Sequence, residues 1–455
     1  MRLLLLDDIV KATGGKVLHA DKEEFSGLSI DSRTIGDGEL FVALRGERFD
    51  GHNFLCDALK RGAGAIVDRE PGGVFEGRTL VYVSDTLRSL QDIARQMRIS
   101  RDVQVVGVTG TNGKTTTKEL IASVLGQRHK VLKTSGNLNN HIGVPLCISR
   151  MHGDETVMVI EMGSNAEGDI RLLCDIARPD IAVVTNVGPA HLEGFGSLEM
   201  VRKTDLEILE YVKTVSVNAD DLFLLEGVKG FRGKTVTYGI RNKSDVSAKD
   251  VELHEKGARF TICFPDDEKL TVDLMISGIV NVYNALAAAS VAFELGMEKD
   301  QIRSGLASFL GVPMRLEVKE LSGALVISDV YNANPASMEE AVKELIRLKR
   351  RRAIAVLGDM LELGSYSESA HRELVGALSP RGVDILIAVG EQMKRASSEF
   401  GGMRHEAEDA GTAGSILSRI MTEGDTVLIK GSRGMRMETV LAGITEAAGV
   451  GEIAI

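Results

Sequence analysis

The segment GVTGTNGKTTTKEL, residues 107–120, carries residues suited to holding a triphosphate. Gly113, Lys114 and Thr115 complete a G-x-x-x-x-G-K-[ST] phosphate loop, but Val108 occupies the place of its first glycine, and Gly107 and Gly110 flank that place. Gly110 and Gly113 let the backbone curl around an anion, with Thr111 and Asn112 between them. Lys114 brings a mobile cation to the outer phosphates, and Thr115, followed by Thr116, offers a hydroxyl to magnesium. A plain glycine-containing turn has no need of Gly-Lys-Thr-Thr at a helix start. Two further residues suit a metal. Glu161 ends the apolar run VMVIE, and His191 follows the run IAVVTNV. Magnesium prefers oxygen ligands, so His191 counts as a candidate only beside Glu161.

These groups need a scaffold that brings strand ends together. VQVVGVT before the loop reads as a strand, and TTTKELIASVL after it as a helix whose unpaired first N–H groups face the loop. Uninterrupted apolar runs at 157–162 and 181–187 predict strands buried on both faces of a parallel sheet. Helical patterns are expected at 115–126, 197–211 and 281–296, and a small antiparallel addition at 251–263 and 270–276. Beyond Pro313, runs at 324–330, 353–360, 383–390 and 425–432 alternate with helical stretches and predict another open sheet. The expected fold class is α/β in three domains: residues 1–98, a central phosphate-loop domain with a mostly parallel sheet at 99–312, and a Rossmann-like domain at 313–455.

Bulk properties exclude several classes. A length of 455 residues suits two or three cores. The net charge of -11 argues against nucleic acid as a partner. No apolar run approaches membrane-spanning length, and the apolar start meets acidic residues at once, so a cytoplasmic protein without membrane insertion is expected. Cys56, Cys147, Cys174 and Cys263 form no C-x-x-C pair and are expected to be buried free thiols.

TGTNGKTT resembles the ATP loop of the Mur ligases, which build the peptidoglycan stem peptide and whose loop lacks the first Walker glycine. SIDSR (29–33), TSGNLNNHIGVPL (134–146), NVGPAHLEGFGSLE (186–199), NVYNALAA (281–288), DVYNANPASM (329–338), GDMLELG (358–364) and KGSRGMRM (430–437) follow in that family's order. The resemblance covers nearly the whole chain. It implies an N-terminal UDP-binding α/β domain, a central ATPase-like domain and a C-terminal Rossmann-like ligase domain. The YNANP and GDMLELG forms imply the member that joins D-alanyl-D-alanine to UDP-N-acetylmuramoyl-tripeptide through an acyl phosphate, with ATP and Mg2+ as cofactors and a monomer as the default state.

Residue roles follow from that resemblance. Lys114 is expected on the β and γ phosphates, Thr115 on the first magnesium, and Glu161 and His191 on the second. Asn284 is expected at the adenine, with Arg315 and Asp329 reaching the nucleotide from the C-terminal side, so domain closure is expected on binding. Ser29, Asp31, Ser32 and Arg33 are expected at the uridine diphosphate, and Asn137, Asn139 and Asn140 along the sugar and peptide. Tyr331, Asn332, Ser432 and Arg433 are candidates around the dipeptide. One slot departs from the family. Where a carbamylated lysine usually follows GSLE, this chain has Asp205, with Lys203 on a different helix face. Asp205 is expected to replace the carbamate at the second metal; the alternative is a surface acid. Two other functions stay open here: another ligase with the same ATP machinery, such as a folylpolyglutamate synthase-like enzyme, and a phosphate-loop regulator that joins nothing.

Overall fold

In the computed structural model, which describes residues 3–72 and 77–447, three large sheets follow one another along the chain, with a two-stranded antiparallel ribbon, Leu4–Leu5 and Glu24–Phe25, beside the first. The outermost ends of the expected first and third domains, and part of the loop before Gly77, lie outside the described residues.

The first sheet has five strands in the order Lys16–His19, Thr79–Tyr82, Gly64–Val67, Glu39–Val42 and Gly27–Ser29. All its pairs are parallel except the one made by Lys16–His19. The helix Thr86–Ile99 leaves this sheet and turns Leu90, Ile93, Ala94 and Met97 inward. Those side chains share a core with Val144 and Ile148 of the helix Gly143–Ser149 and Ile170 and Leu173 of Asp169–Ala177. The first sheet is therefore seated on the central one through a common apolar layer.

The central sheet has nine strands. Gln104–Thr109 lies third from one edge, between Ile181–Val184 and Val157–Glu161 and parallel to both. Every residue of Val157–Glu161 is buried, which explains its unbroken apolar run. The expected antiparallel addition is present as Val246–His254, Gly257–Cys263 and Lys269–Leu274. Chain order reverses around Gln104–Thr109, so ligands are expected at the carboxyl ends of these strands. The patterned stretch 197–211 divides into an α-helix, Leu198–Asp205, and a tighter 3-10 turn, Leu206–Glu210.

The third sheet has six strands, ordered Glu317–Leu321, Ala324–Asp329, Thr426–Lys430, Ala353–Gly358, Ile385–Val389 and Met403–Ala407. Five are parallel. Glu317–Leu321 is an antiparallel edge that the apolar pattern did not disclose, because its five residues include two glutamates and a lysine. The linker into this sheet holds Met314 and Leu316 in the left-handed region, at φ of 64° and 46°.

The central and third sheets meet along two lines. Behind the cleft, Glu344 and Arg347 of the helix Pro335–Arg347 grip Ser277 and the carbonyls of Leu253 and His254. In front, Asn112 and Asn334 exchange amide hydrogen bonds at 3.3 and 2.9 Å. All four cysteines are free thiols; Cys147 and Cys174 are buried, but Cys56 is exposed and Cys263 half-buried, correcting the expectation of burial at those two.

Candidate active site

The strand Gln104–Thr109 delivers its chain into a turn that only glycine fits at two points. Gly110 has φ of 117°, and a Cβ there would lie 2.3 Å from the Thr185 hydroxyl; Gly113 has φ of 82°, and its Cβ would lie 2.6 Å from Asn284 Oδ1. The loop is pinned to the neighbouring strand end. Thr111 N donates to Asn186 O at 2.8 Å, Asn112 N to Asn186 Oδ1 at 3.0 Å, and Thr185 Oγ1 to Asn112 O at 2.6 Å. The helix Lys114–Leu125 then starts with its first N–H groups at the loop, the arrangement that binds phosphate. Val108 is a buried core residue of the strand, which accounts for an apolar side chain where other loops have glycine.

Lys114 folds back so that Nζ donates to Gly110 O and Thr111 O. Burial lowers its pKa, and the carboxylates of Asp205 and Glu161 oppose that shift. Thr115 Oγ1 donates to Glu161 Oε1 at 3.2 Å, and Asn139 Nδ2 donates to the same oxygen at 2.9 Å. The other oxygen of Glu161 is buried and has no hydrogen-bond partner. Its nearest cation is Lys118 Nζ at 3.6 Å, itself fully buried and committed to Thr134 O at 2.7 Å. An orphaned carboxylate oxygen beside a threonine hydroxyl is a donor set that suits magnesium. Among the described residues no three His, Cys, Asp or Glu side chains cluster as a metal site, so an ion here would also need phosphate oxygens and water.

Asp205 is not a surface acid. It is only 2% exposed and accepts from Thr109 Oγ1 at 2.9 Å, at the root of the loop. Burial pushes its carboxyl up to about 6, against the pull of Lys114 and of hydrogen bonds from Thr109 and Ser164. It lies beneath the cavity wall, whereas Ser164 is part of the wall. Lys203 points elsewhere and pairs with Glu167. His191 has φ of 51°, and its Nδ1 lies 2.5 Å from Glu362 of the third sheet's domain.

One cavity of about 720 Å³, a volume typical of ligand sites, lies between the central and third sheets. Lys114, Thr115, Glu161, His191, Asn139, Asn140, Asn284, Arg315, Asp329, Tyr331, Asn332, Ser432 and Arg433 line it, together with Thr111, Asn112, Gly113 and Thr116. Gly110 lies behind the wall, and Asn137 is exposed outside it. Asn140 caps the helix Gly143–Ser149 through Gly143 N at 2.9 Å. Asn284 is held by Thr117 and Asn281. Ser29, Asp31, Ser32 and Arg33 are not part of the cavity; they form a turn on the first sheet. There Arg33 holds Asp31 by Nε at 2.9 Å and Nη2 at 2.7 Å, and these hydrogen bonds lower its carboxyl to about 2.

From the third domain, Arg315 stacks 4.0 Å over the Tyr331 ring and donates to Thr115 Oγ1 at 3.2 Å. Its Nε is buried without a partner. Asp329 is engaged by Lys430 Nζ at 2.6 Å, and the same ammonium donates to Asn332 O at 2.8 Å. Burial lowers the Lys430 pKa, and Asp329 opposes the shift. Ser432 Oγ accepts from Leu361 N, and Arg433 pairs with Glu438. Residue-type reasoning missed Lys118, Asn186, Asn334, Glu362 and Lys430. Lys118 had a local signal, standing one turn beyond Lys114. Lys430 opens the KGSRGMRM motif, but its partnership with Asp329 was not readable, because their register requires knowing that two distant strands pair.

Comparison with known proteins agrees along the chain. Residues 24–98 match the model of the Mur ligase family, catalytic domain; 108–292 match the Mur ligase middle domain; and 314–433 match the Mur ligase, glutamate ligase domain. The chain is 36% identical over 433 residues to UDP-N-acetylmuramoyl-tripeptide–D-alanyl-D-alanine ligase of Bacillus subtilis, covering 92% of this chain and 93% of that protein. It is 35% identical to the Escherichia coli enzyme of the same name, covering 97% and 98%. Its structure matches MurF from Acinetobacter baumannii with a TM-score of 0.91 at 30% identity, covering 98% and 99%. It also matches MurF ligase from Thermotoga maritima in complex with ADP, with a TM-score of 0.84 at 32% identity, covering 93% and 98%. With all three sheets matched by one set of family models and relatives of this identity spanning nearly its full length, the chain belongs to the Mur ligase family.

Proposed function

We propose that this ligase joins D-alanyl-D-alanine to UDP-N-acetylmuramoyl-tripeptide at the expense of ATP, completing the cytoplasmic peptidoglycan precursor, and works as a monomer. The observation that carries this is the shared cavity walled by the phosphate loop and Glu161 on one side and by Arg315, Tyr331, Asn332 and Ser432 on the other. A ligase must bring two anions, a triphosphate and a carboxylate, within bonding distance of each other and of an amine. Lys114, Arg315 and the helix start at Gly113 supply the positive field for the phosphates and for the acyl phosphate formed from the tripeptide carboxylate. Thr115, Glu161 and His191 would hold magnesium, with Asp205 acting from beneath the wall through Thr109 and Ser164. Magnesium, when bound, would neutralise phosphate charge and leave phosphorus open to the carboxylate.

The remaining roles follow the shape of the substrates. A UDP-linked tripeptide is long, and a turn at Ser29–Arg33 outside the cavity suits its nucleotide end while Asn139 and Asn140 face the peptide end. All of Asn284, Asp329, Tyr331, Asn332, Ser432 and Arg433 line the cavity; in this reading the first two meet the nucleotide and the other four the dipeptide. The test is phosphate release from ATP measured with each substrate withheld. Release that requires both UDP-tripeptide and D-alanyl-D-alanine is expected; release that ignores either one overturns the assignment.

A further inference from the structure

GDMLELG is a motif whose chemistry the reaction above leaves unused. Its loop is held rigidly at several points. The Asp359 carboxylate accepts from Met393 N at 2.7 Å and Gln392 N at 3.2 Å. Met360 N donates to His371 Nε2, and Leu361 N to Ser432 Oγ, each at 2.9 Å. Leu363 is buried. Between these anchors Glu362 stands in the left-handed region at φ of 64° and projects across the cleft to His191. Its own carbonyl accepts from Glu193 N at 3.3 Å, so the loop also docks on the backbone beside that histidine.

His191 needs such a partner. Its backbone is fixed, with its carbonyl accepting from Gly194 N and Phe195 N. Its ring is a third exposed, and among the described residues Glu362 is its only ion-pairing neighbour. Glu362 Oε2 lies 2.5 Å from Nδ1 as an ion pair, outside hydrogen-bond alignment in this structure; a ring turned to meet that carboxylate carries its proton on Nδ1 and leaves Nε2 with its lone pair for a metal. The Glu362 side chain is 60% exposed, so the pair adds little to stability. Its value is orientation.

We propose that Glu362 is a positioning residue: the C-terminal domain uses it to set the ring and tautomer of His191, so that the metal site of the central domain is completed only when the two domains meet. The inference rests on the ligase function proposed above. The test uses the full chain with a non-hydrolysable ATP analogue and UDP-tripeptide, titrated with Mn2+ and followed by electron paramagnetic resonance. Histidine-selective 15N NMR reports the His191 tautomer, assigned with His191→Gln. Glu362→Ala is expected to weaken Mn2+ binding by about tenfold and to abolish the Nδ1–H preference, while Glu362→Gln, which keeps an acceptor, stays near wild type. Wild-type affinity or an unchanged tautomer in Glu362→Ala, or a Glu362→Gln as weak as Glu362→Ala, overturns the proposal. A wild-type chain that binds neither the analogue nor Mn2+ overturns the ligase function itself and this inference with it.

Discussion

Asp205 is proposed to stand in for a modified side chain. The family's carbamylated lysine brings a carboxylate on a long stem; here the carboxylate is native, short and buried against Thr109 and the loop that carries Lys114. A group one layer behind the cavity acts through what it holds, so Asp205→Ala is expected to cut turnover by about 10- to 100-fold and to raise the magnesium requirement. Steady-state rates across a magnesium series check this, and wild-type turnover in Asp205→Ala would sink the replacement. Added bicarbonate should leave the wild-type rate unchanged, since no lysine occupies that slot. The residue type and its place after GSLE were readable in the chain. Its burial was not, because an aspartate on a helix reads equally well as a solvated acid.

At the level of elements, the strand–loop–helix unit depends on backbone shape more than on side chains. Gly113 is left-handed and faces Asn284, so alanine there meets both a conformational and a steric penalty. The left-handed cost alone is about 1–2 kcal/mol. Gly113→Ala is therefore expected to weaken ADP binding by about tenfold or more, measured by calorimetry, with the fold retained. Affinity equal to wild type would show that the loop is not the phosphate cradle. The main parallel strands and the loop helix were legible because burial on both faces forces continuous apolar runs. The edge strand Glu317–Leu321 was not, since an edge need satisfy only one neighbour and keeps charged residues.

For the whole molecule, the two lines of contact between the central and third sheets differ in kind. The rear one is a network around Ser277, Glu344 and Arg347, with Ser277 and Glu344 buried. The cleft side relies on polar pairs: Asn112 with Asn334, Arg315 with Thr115 and His191 with Glu362. Exposed or half-exposed pairs contribute at most about 1 kcal/mol each. The cleft should therefore open easily about the rear contact, and an ATP analogue with UDP-tripeptide should reduce the radius of gyration in small-angle scattering. Identical scattering with and without ligands would count against closure. By itself the sequence determined the phosphate loop, the alternating α/β order and the run of motifs, because each depends on residues close together in the chain. Only the tertiary structure decided that Lys430 faces Asp329, that Glu362 meets His191, that Asp205 is buried beneath the loop, and that Ser29–Arg33 stands apart from the cavity. Strand order and the seating of one sheet on another create those neighbours, and the contacts that fix them lie up to hundreds of residues apart along the chain.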